Sequence, residues 1–255
     1  MDLNLKIRRQ MVQAISDYEM IADGDRIMVA VSGGKDSTIL LLMLAEIQRR
    51  AKLSFELQPV ILDQKQPGFQ VEAYRQYLKD QGLDLTVIEE DTYAIVKEKV
   101  DPAKKSYCGL CSRLRRGILY NYAHSHGYNK IALGHHRDDL NETILMNLFY
   151  GGRIASMPPK LRSDDGRNVV IRPLAYVPER QLVSYAEQLD FPIIPCNLCG
   201  SQDGLKRQRV KRLLRELEEE RPDLGDNMLA AMKNIRPTQL LDGRLHNFSS
   251  IEVSP

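Results

Sequence analysis

The chain has 255 residues, a formal net charge of +2 and a hydrophobic fraction of 43%. This length is enough to bury the core of one α/β domain with a small appendage. No apolar run is long enough to span a membrane, and the polar segment from Met1 to Gln13 lacks a signal-peptide core. We therefore expect a cytoplasmic protein without membrane association and with reduced cysteines.

The predicted elements divide the chain into three parts. An N-terminal helix is predicted for residues 1–22 and gives a first segment of residues 1–24. Residues 25–200 alternate strands with helices, and residues 201–255 form a C-terminal helical segment with an amphipathic helix at 205–221 and a loose tail after Arg236. The predicted strands are 27–31, 56–62, 85–89, 130–133 and 169–174, and the predicted helices between them are 38–50, 71–83, 92–100, 112–126, 140–150 and 178–189.

This alternation predicts an α/β fold: a doubly wound, Rossmann-like parallel sheet with helices on both faces. Ligands of such sheets bind outside the carboxyl ends of the strands. The Pro- and charge-rich stretch 153–167 is predicted as a loop.

The strongest local signal lies where the first strand meets the first helix of the sheet. The β-branched run 27–31 is followed by two glycines, then by helix-capping residues and an apolar helix. Such a turn collects backbone N–H groups and a positive helix end, which favours an anion. An ordinary glycine-rich turn is the alternative. The candidate nucleotide-binding residues are Ala30, Ser32, Gly33, Gly34, Lys35, Asp36 and Ser37.

This motif is neither a Walker A loop nor a dinucleotide fingerprint, since its glycine spacing fits neither. The sequence Ser-Gly-Gly-Lys-Asp-Ser at 32–37 resembles the pyrophosphate loop of ATP pyrophosphatases, which split ATP between the α and β phosphates. The resemblance implies ATP as a substrate but selects no acceptor.

Polar residues at the carboxyl ends of two further strands extend the candidate site. Gly134 begins the loop after strand 130–133, and Asp138 and Asp139 end that loop. A role in Mg²⁺ binding or proton transfer is predicted for Asp139, with helix capping as the alternative for either aspartate. Lys35, Asp36 and Asp139 are the candidate catalytic residues, and Asp36 is a further candidate Mg²⁺ ligand. Asp63, at the end of strand 56–62, is predicted to border the nucleotide.

The four cysteines form two widely separated Cys-x-x-Cys pairs, Cys108/Cys111 and Cys196/Cys199. In a reducing compartment such pairs favour metal binding over disulfides. A four-cysteine zinc site, an iron–sulfur cluster and a redox dithiol all remain open from spacing alone.

Five motifs together resemble the tRNA 2-thiocytidine synthetase family. They are the pyrophosphate loop, Cys108-Gly-Leu-Cys-Ser-Arg-Leu-Arg-Arg-Gly117, Gly134-His-His-Arg-Asp-Asp139, Met157-Pro-Pro-Lys160 and Pro195-Cys-Asn-Leu-Cys-Gly-Ser-Gln202. The resemblance runs from about Asn4 to Pro237. It implies an adenine nucleotide α-hydrolase-like fold and a transferase that uses ATP, Mg²⁺ and a [4Fe–4S] cluster to thiolate C2 of an anticodon-loop cytidine, position 32 of tRNA. The family cluster implies three ligands, assigned to Cys108, Cys111 and Cys199, with Cys196 as the alternative third.

The expected partners are tRNA, a sulfur donor such as a cysteine desulfurase and, through the leading helix, a second subunit. Candidate contacts to tRNA phosphates are Lys104, Lys105, Arg113, Arg116, Lys160, Arg162, Lys206, Arg207 and Arg209. The alternatives are another pyrophosphate-loop tRNA enzyme, such as a 2-thiouridine or lysidine synthetase, and a non-catalytic zinc-bound RNA-binding protein.

Overall fold

The structure, a computed structural model, describes residues 2–99, 107–194 and 202–251, apart from the side chains of residues 99, 107–109 and 202–205. The helices of this part of the chain are α1 (Leu3–Asp17), α2 (Lys35–Arg50), α3 (Glu72–Asp80), α4 (Thr92–Lys99), α5 (Tyr107–Ser125), α6 (Arg137–Gly151), α7 (Glu179–Leu189), α8 (Gln202–Glu220) and α9 (Leu224–Lys233). The strands are β1 (Asp25–Val31), β2 (Phe55–Asp63), β3 (Thr86–Glu89), β4 (Lys130–Ala132), β5 (Lys160–Arg162) and β6 (Val169–Ile171). Short 3-10 helices lie at Pro173–Tyr176, Pro237–Gln239 and Phe248–Ser250.

Within the described residues the strands form one sheet in the order β3-β2-β1-β4-β6-β5. All neighbouring strands are parallel except β5, which pairs antiparallel with β6. The predicted α/β fold with a parallel sheet is confirmed. The chain builds outward from β1 to β3 and then places β4 on the other side of β1. The crevice between β1 and β4 is therefore the point at which strand order reverses, where doubly wound sheets bind ligands.

Strand β1 is buried on both faces, as expected for a central parallel strand. Its alternate residues Ile27, Val29 and Val31 belong to the core cluster that contains the buried residues of α1 and α2. Met28 points to the opposite face and packs in a second cluster with Leu119 of α5. Helices thus cover both faces of the sheet, and the strand that carries the pyrophosphate loop is fixed from both sides.

The prediction of a loop for 153–167 is wrong in part, because residues 160–162 form the antiparallel edge strand β5. A tight turn joins it to β6: Ser163 N–H donates to Asn168 O (2.9 Å), and Gly166 N–H donates to Ser163 O (2.8 Å). Gly166 has a φ of +72°, which glycine adopts without strain. The strand has three residues, and both of its ends are exposed lysine and arginine, so no apolar alternation marks it in the sequence.

Several helices begin earlier than predicted. Helix α2 begins at Lys35 rather than Thr38, α5 at Tyr107 rather than Ser112, and α6 at Arg137 rather than Leu140. The first Cys-x-x-Cys pair therefore lies within α5 and not ahead of it. Asp138 and Asp139 likewise lie in the first turn of α6.

The C-terminal segment contains a helix, α9, that was not predicted. Its start is fixed by α6: Asn141 Nδ2 donates to Gly225 O (3.0 Å), and Arg137 binds Asp226 (2.9 Å). A Cβ at Gly225 would lie 2.5 Å from the Arg137 guanidinium. These contacts are long-range, so local periodicity does not reveal the helix. The tail after Arg236, predicted to lack periodicity, forms two short 3-10 helices.

Candidate active site

The predicted nucleotide-binding residues meet at the crevice between β1 and β4. Val29 pairs with Ala132 in the parallel register of these strands, so the loops that follow them leave the sheet side by side. Gly134 packs directly on the start of α2. A Cβ at this position would lie 2.9 Å from the backbone N and 3.0 Å from the Cα of Ser37. Glycine at 134 therefore permits the two loops to touch, and Ala30 lies on β1 just below them.

Hydroxyl groups fix the shape of the pyrophosphate loop. Ser37 Oγ accepts from Ser32 N–H (3.0 Å) and donates to Gly34 O (3.2 Å). The Ser32 and Ser37 hydroxyls lie 3.1 Å apart. Gly33 turns the chain at a φ of +75°, and its missing side chain is replaced by Ile194, which lies 2.6 Å from where a Cβ would stand. The loop is thus preformed by its own sequence and by one contact from a distant segment.

The start of α2 has unpaired donors. Gly34 is the N-cap, and no side chain caps the helix. The first backbone N–H groups of a helix have no partner within it, and here they point out of a loop with the positive end of the helix dipole behind them. This is the arrangement that binds phosphate oxygens.

Lys35 adds a cation to the loop and is held by two carboxylates. Its Nζ lies 3.0 Å from Asp36 Oδ1 and 3.5 Å from Glu179 Oε1. Burial alone would lower the pKa of Lys35, but these carboxylates outweigh it and raise the pKa above its ordinary value. Lys35 is therefore charged at neutral pH.

Glu179, at the start of α7, joins the loop to helix α8. Lys211 Nζ donates to Glu179 Oε1 (2.7 Å). Burial would raise the pKa of Glu179, but the hydrogen bond from Lys211 and the charge of Lys35 hold it below its ordinary value. One carboxylate thus contacts two lysines at the mouth of the crevice, and Lys35 has Asp36 as a second partner.

Both aspartates after β4 accept backbone hydrogen bonds. Asp139 accepts from the His136 N–H (3.0 Å) and from Arg207 (2.9 Å). Asp138 accepts from the Glu179 N–H (2.7 Å) and from Arg137 (3.0 Å). Each carboxylate therefore has a capping role, and the arginine partners keep each of them close to the crevice.

A half-buried histidine and a buried arginine lie beyond these aspartates, at the adjacent ends of β4 and β6. Burial lowers the pKa of His135 to about 4, assisted by the charge of Arg172 and opposed by that of Asp139. His135 is neutral at pH 7, and its Nδ1 has no partner among the described residues. Burial also lowers the pKa of Arg172, whose Nη1 donates to Pro158 O (2.5 Å) while its Nε has no partner in the described chain.

Cys111 of α5 packs against Gln64, the residue that follows β2, on the same edge of the sheet as the pyrophosphate loop. Its thiol is buried and lies 3.2 Å from Gln64 Oε1, and Arg115 approaches its sulfur at 4.0 Å. Asp63 itself accepts from the Lys65 N–H (2.7 Å), and among the described residues no hydrogen bond or ion pair joins it to the pyrophosphate loop. The Cys108 side chain and all of Cys196 and Cys199 lie outside the described residues, so their assignment as metal ligands stays a prediction.

Ile194 links this region to the second cysteine pair. Its N–H donates to Gly33 O (3.0 Å), and it is the residue after which the described chain stops before Pro195. The last described residue before the second cysteine pair is therefore in contact with the pyrophosphate loop. Among the residues that the structure describes, no three His, Cys, Asp or Glu side chains are grouped as metal ligands.

Comparison with known proteins decides the family. Residues 3–214 match the model of the PP-loop domain. A tRNA-cytidine(32) 2-sulfurtransferase of Bdellovibrio bacteriovorus is 54% identical over 98% of this chain and 96% of that protein. Its namesakes from Alcanivorax borkumensis and Coxiella burnetii strain Dugway are 52% and 53% identical, over 98% and 97% of this chain and 88% and 96% of theirs. The chain belongs to the tRNA-cytidine(32) 2-sulfurtransferase family.

A solved structure supports the same fold. The U34-tRNA thiolase NcsA from Methanococcus maripaludis, solved with its [4Fe–4S] cluster, superimposes with a TM-score of 0.70 at 17% identity, covering 92% of this chain and 80% of that one. At this identity the likeness establishes the fold.

In the described part of this family member, no helix is long and apolar enough to cross a membrane.

Four residues of the site were not predicted from the sequence: Glu179, Lys211, Arg137 and Arg172. Arg137 is almost fully buried and binds Asp138, Glu218 and Asp226, which ties α6 to α8 and α9. All four act through partners far away in sequence, so neither spacing nor periodicity identifies them. A basic first half of α8 was the one available signal, and its Arg207 and Lys211 do reach the crevice.

Proposed function

We propose that this sulfurtransferase activates the C2 oxygen of cytidine 32 in tRNA with ATP and replaces that oxygen with sulfur. One observation carries the ATP part of the proposal: the uncapped start of α2 and the charged Lys35 converge on one crevice. The family supplies the acceptor, since the named relatives act on tRNA cytidine 32.

In the first step the base oxygen attacks the α-phosphorus of ATP, and the bond to the pyrophosphate breaks. The oxygen becomes part of an adenylate, so AMP is the leaving group when sulfur attacks C2. Negative charge grows on the pyrophosphate as it departs. The free N–H groups at the start of α2, with Ser32, Ser37 and Lys35, are positioned to stabilise that charge.

ATP binding exchanges partners within the crevice. The Lys35 ammonium turns from Asp36 and Glu179 towards phosphate oxygens, while Lys211 continues to neutralise Glu179. Asp36 is then free to hold Mg²⁺ together with Asp139, because carboxylate and phosphate oxygens are the ligands that this ion takes. Neutral His135, with an unpartnered ring nitrogen, is available to accept a hydrogen bond or proton from the activated base.

The iron–sulfur cluster is assigned to Cys108, Cys111 and Cys199, with Cys196 as the alternative third ligand. The surroundings of Cys111 fit a thiolate ligand: the sulfur is buried, next to an arginine, and at the sheet edge where ATP binds. A [4Fe–4S] cluster held by these three cysteines would supply the binding site for the sulfur that replaces the C2 oxygen. A cysteine desulfurase as sulfur donor and a homodimer through α1 remain predictions.

The test is an absorbance spectrum of protein purified without oxygen, with iron and sulfide assays, for the native chain and for Cys111→Ser. The expected result is a broad brown absorbance in the native protein that is lost in the variant, whose ATP binding stays intact. A colourless protein that contains zinc would contradict the cluster. It would favour the RNA-binding alternative, whereas ATP turnover without sulfur in the RNA would favour an amidating enzyme.

A further inference from the structure

The end of helix α6 exposes three consecutive large apolar side chains. Leu148, Phe149 and Tyr150 are 47%, 51% and 46% accessible to solvent. The rings of Phe149 and Tyr150 meet edge to face, with centroids 6.4 Å apart and planes at 90°. A contiguous exposed apolar patch of this kind marks a surface that contacts a partner.

Helix α6 connects this patch to the candidate active site. Asp139 lies in its first turn and Tyr150 near its last, so Tyr150 lies about 16 Å further along the helix axis at about 1.5 Å per residue. A base held near Tyr150 and a base held at the crevice can therefore belong to the same short stretch of RNA.

Two cations without a carboxylate partner among the described residues lie at this end of α6, one of them over the Tyr150 ring. Lys206 Nζ lies 5.2 Å from the centroid of the Tyr150 ring. Arg153 follows α6 and donates to Asn147 Oδ1 (3.0 Å). Neither Lys206 nor Arg153 forms a salt bridge with a described residue, whereas Arg207, next in α8, is bound by Asp139 and Glu142. In the first turns of α8, Arg207 is thus bound by carboxylates of the crevice, while Lys206 has no carboxylate partner among the described residues.

We propose that Phe149 and Tyr150, flanked by Lys206 and Arg153, form a stacking platform for unpaired bases of the anticodon loop beside the target cytidine. The inference rests on the proposed function, because it takes tRNA as the substrate. Unpaired RNA bases stack on aromatic side chains while cations contact the neighbouring phosphates. These are the two types of side chain that lie together at the end of α6.

Charge decides between RNA and a second copy of the chain as occupant. In a two-fold symmetric dimer the same patch contacts itself, which would bring Lys206 and Arg153 of one subunit against their own copies. Like charges in an interface are unfavourable. A polyanion with exposed bases satisfies both the rings and the cations.

The chain has no tryptophan, so Tyr150→Trp places a single tryptophan on the platform, which can be excited selectively over the tyrosines. A stem-loop RNA with the anticodon loop is titrated into this variant, and a duplex of the stem alone serves as the RNA control. The matched protein control is Tyr128→Trp. Tyr128 also has a cation over its ring, since Arg26 Cζ lies 5.2 Å from the centroid, but it lies at the opposite end of the sheet.

The expected result is that the stem-loop quenches the emission of the Tyr150→Trp variant, that the duplex does not, and that the Tyr128→Trp variant responds to neither. Binding by fluorescence anisotropy of labelled RNA gives a second readout. Tyr150→Ala should weaken binding of the stem-loop about tenfold without changing its salt dependence. Lys206→Ala should instead reduce the slope of log K against log salt by about 1.

Binding of the stem-loop without quenching of the Tyr150→Trp emission would overturn the platform and leave the proposed function standing. An emission that shifts to the blue with protein concentration and ignores RNA would overturn it in favour of self-association. If the native chain itself does not bind the stem-loop, the proposed tRNA substrate fails first, and the platform fails with it.

Discussion

Buried charged groups lie at both ends of the β1–β4 strand pair. Those at the amino end are all paired within the fold, whereas some polar groups at the carboxyl end have no partner among the described residues. At the amino end, the Asp25 carboxylate accepts from the Ala22 N–H (2.6 Å), from Asn129 Nδ2 (2.8 Å) and from Lys130 Nζ. Asp25 and Lys130 are 5% and 8% exposed. The network closes on itself, and every group in it has a partner within the fold.

At the carboxyl end, hydrogen-bond donors and acceptors are left without partners among the described residues. Lys35 and Lys211 share Glu179, the start of α2 has no cap, and the Nδ1 of His135 and the Nε of Arg172 have no partner among the described residues. Buried polar groups without partners are costly and rare in native proteins. We infer that the closed network stabilises the fold, while the open one keeps donors and acceptors for a substrate.

The largest effect is expected at the closed end. Lys130→Met should lower the free energy of unfolding by about 3–5 kcal/mol, because it leaves the Asp25 carboxylate buried without its cation. Urea unfolding followed by circular dichroism measures this change. The double variant Asp25→Leu/Lys130→Met is the control and should recover most of the loss. A single variant as stable as the native protein would show that the closed network does not hold the fold.

At the open end the main effect should be on rate. Lys35→Ala should reduce kcat for thiolation by about 10²–10³, because it removes one preorganised charge from the departing pyrophosphate. The free energy of unfolding should change by no more than about 1 kcal/mol, since Glu179 keeps Lys211. Lys65→Ala, which removes an exposed lysine paired with Glu89, is the control and should leave the rate unchanged. A Lys35→Ala protein with native activity would contradict the site.

Smaller effects on stability and on ATP binding are expected at Gly134, where the loop after β4 contacts the start of α2. Gly134→Ala places a Cβ 2.9 Å from the Ser37 backbone N, and backbone cannot move aside cheaply. We expect a loss of stability of about 1–3 kcal/mol from overpacking, together with weaker ATP binding measured by calorimetry. Gly117→Ala, on α5 with no atom within 4 Å of its new Cβ, should be neutral or slightly stabilising. If Gly134→Ala and Gly117→Ala were equally stable and bound ATP equally well, the close contact of Gly134 with Ser37 would be contradicted.

At neutral pH the smallest effect on stability is expected at His135, whose contribution depends on pH. The pKa of His135 falls from its ordinary 6.5 to about 4 in the folded chain. Between these values the unfolded chain binds a proton that the folded chain does not, so this residue's contribution to stability is present above pH 6.5 and is lost as the pH falls towards 4. His135→Gln should flatten that part of the curve of stability against pH. Parallel curves for variant and native protein would show that His135 titrates normally.

The sequence predicted the elements whose signals are local. β1, the pyrophosphate loop and α2 occupy consecutive residues, and each agrees with its neighbours in propensity, turn chemistry and apolar pattern. Gly134 was predicted near the nucleotide, and the structure adds its close contact with Ser37. The strand β5 escaped prediction because its three residues are mainly charged. Helix α9 escaped because its start depends on Arg137 and Asn141 of α6.

The same distinction applies within the candidate site. Lys35 and Asp36 could be identified because they belong to one short motif. Glu179 lies 3.5 Å from Lys35 in space but follows it by more than a hundred residues, and an isolated glutamate at the start of a helix has no distinguishing pattern. Contacts of this kind follow from tertiary packing alone, which is why the sequence identified the loop and Asp36 but not Glu179, the second carboxylate that holds Lys35.

The stoichiometry of ATP cleavage decides whether thiolation proceeds through an adenylated cytidine. Protein prepared without oxygen and loaded with iron and sulfide is incubated with tRNA, a sulfide source and ATP labelled at the α-phosphate. AMP, pyrophosphate and 2-thiocytidine are then counted in the same reaction. We expect one AMP and one pyrophosphate for each 2-thiocytidine, with none of the three formed by Lys35→Ala at a comparable rate. ADP and inorganic phosphate as products, or thiolation without ATP, would contradict it.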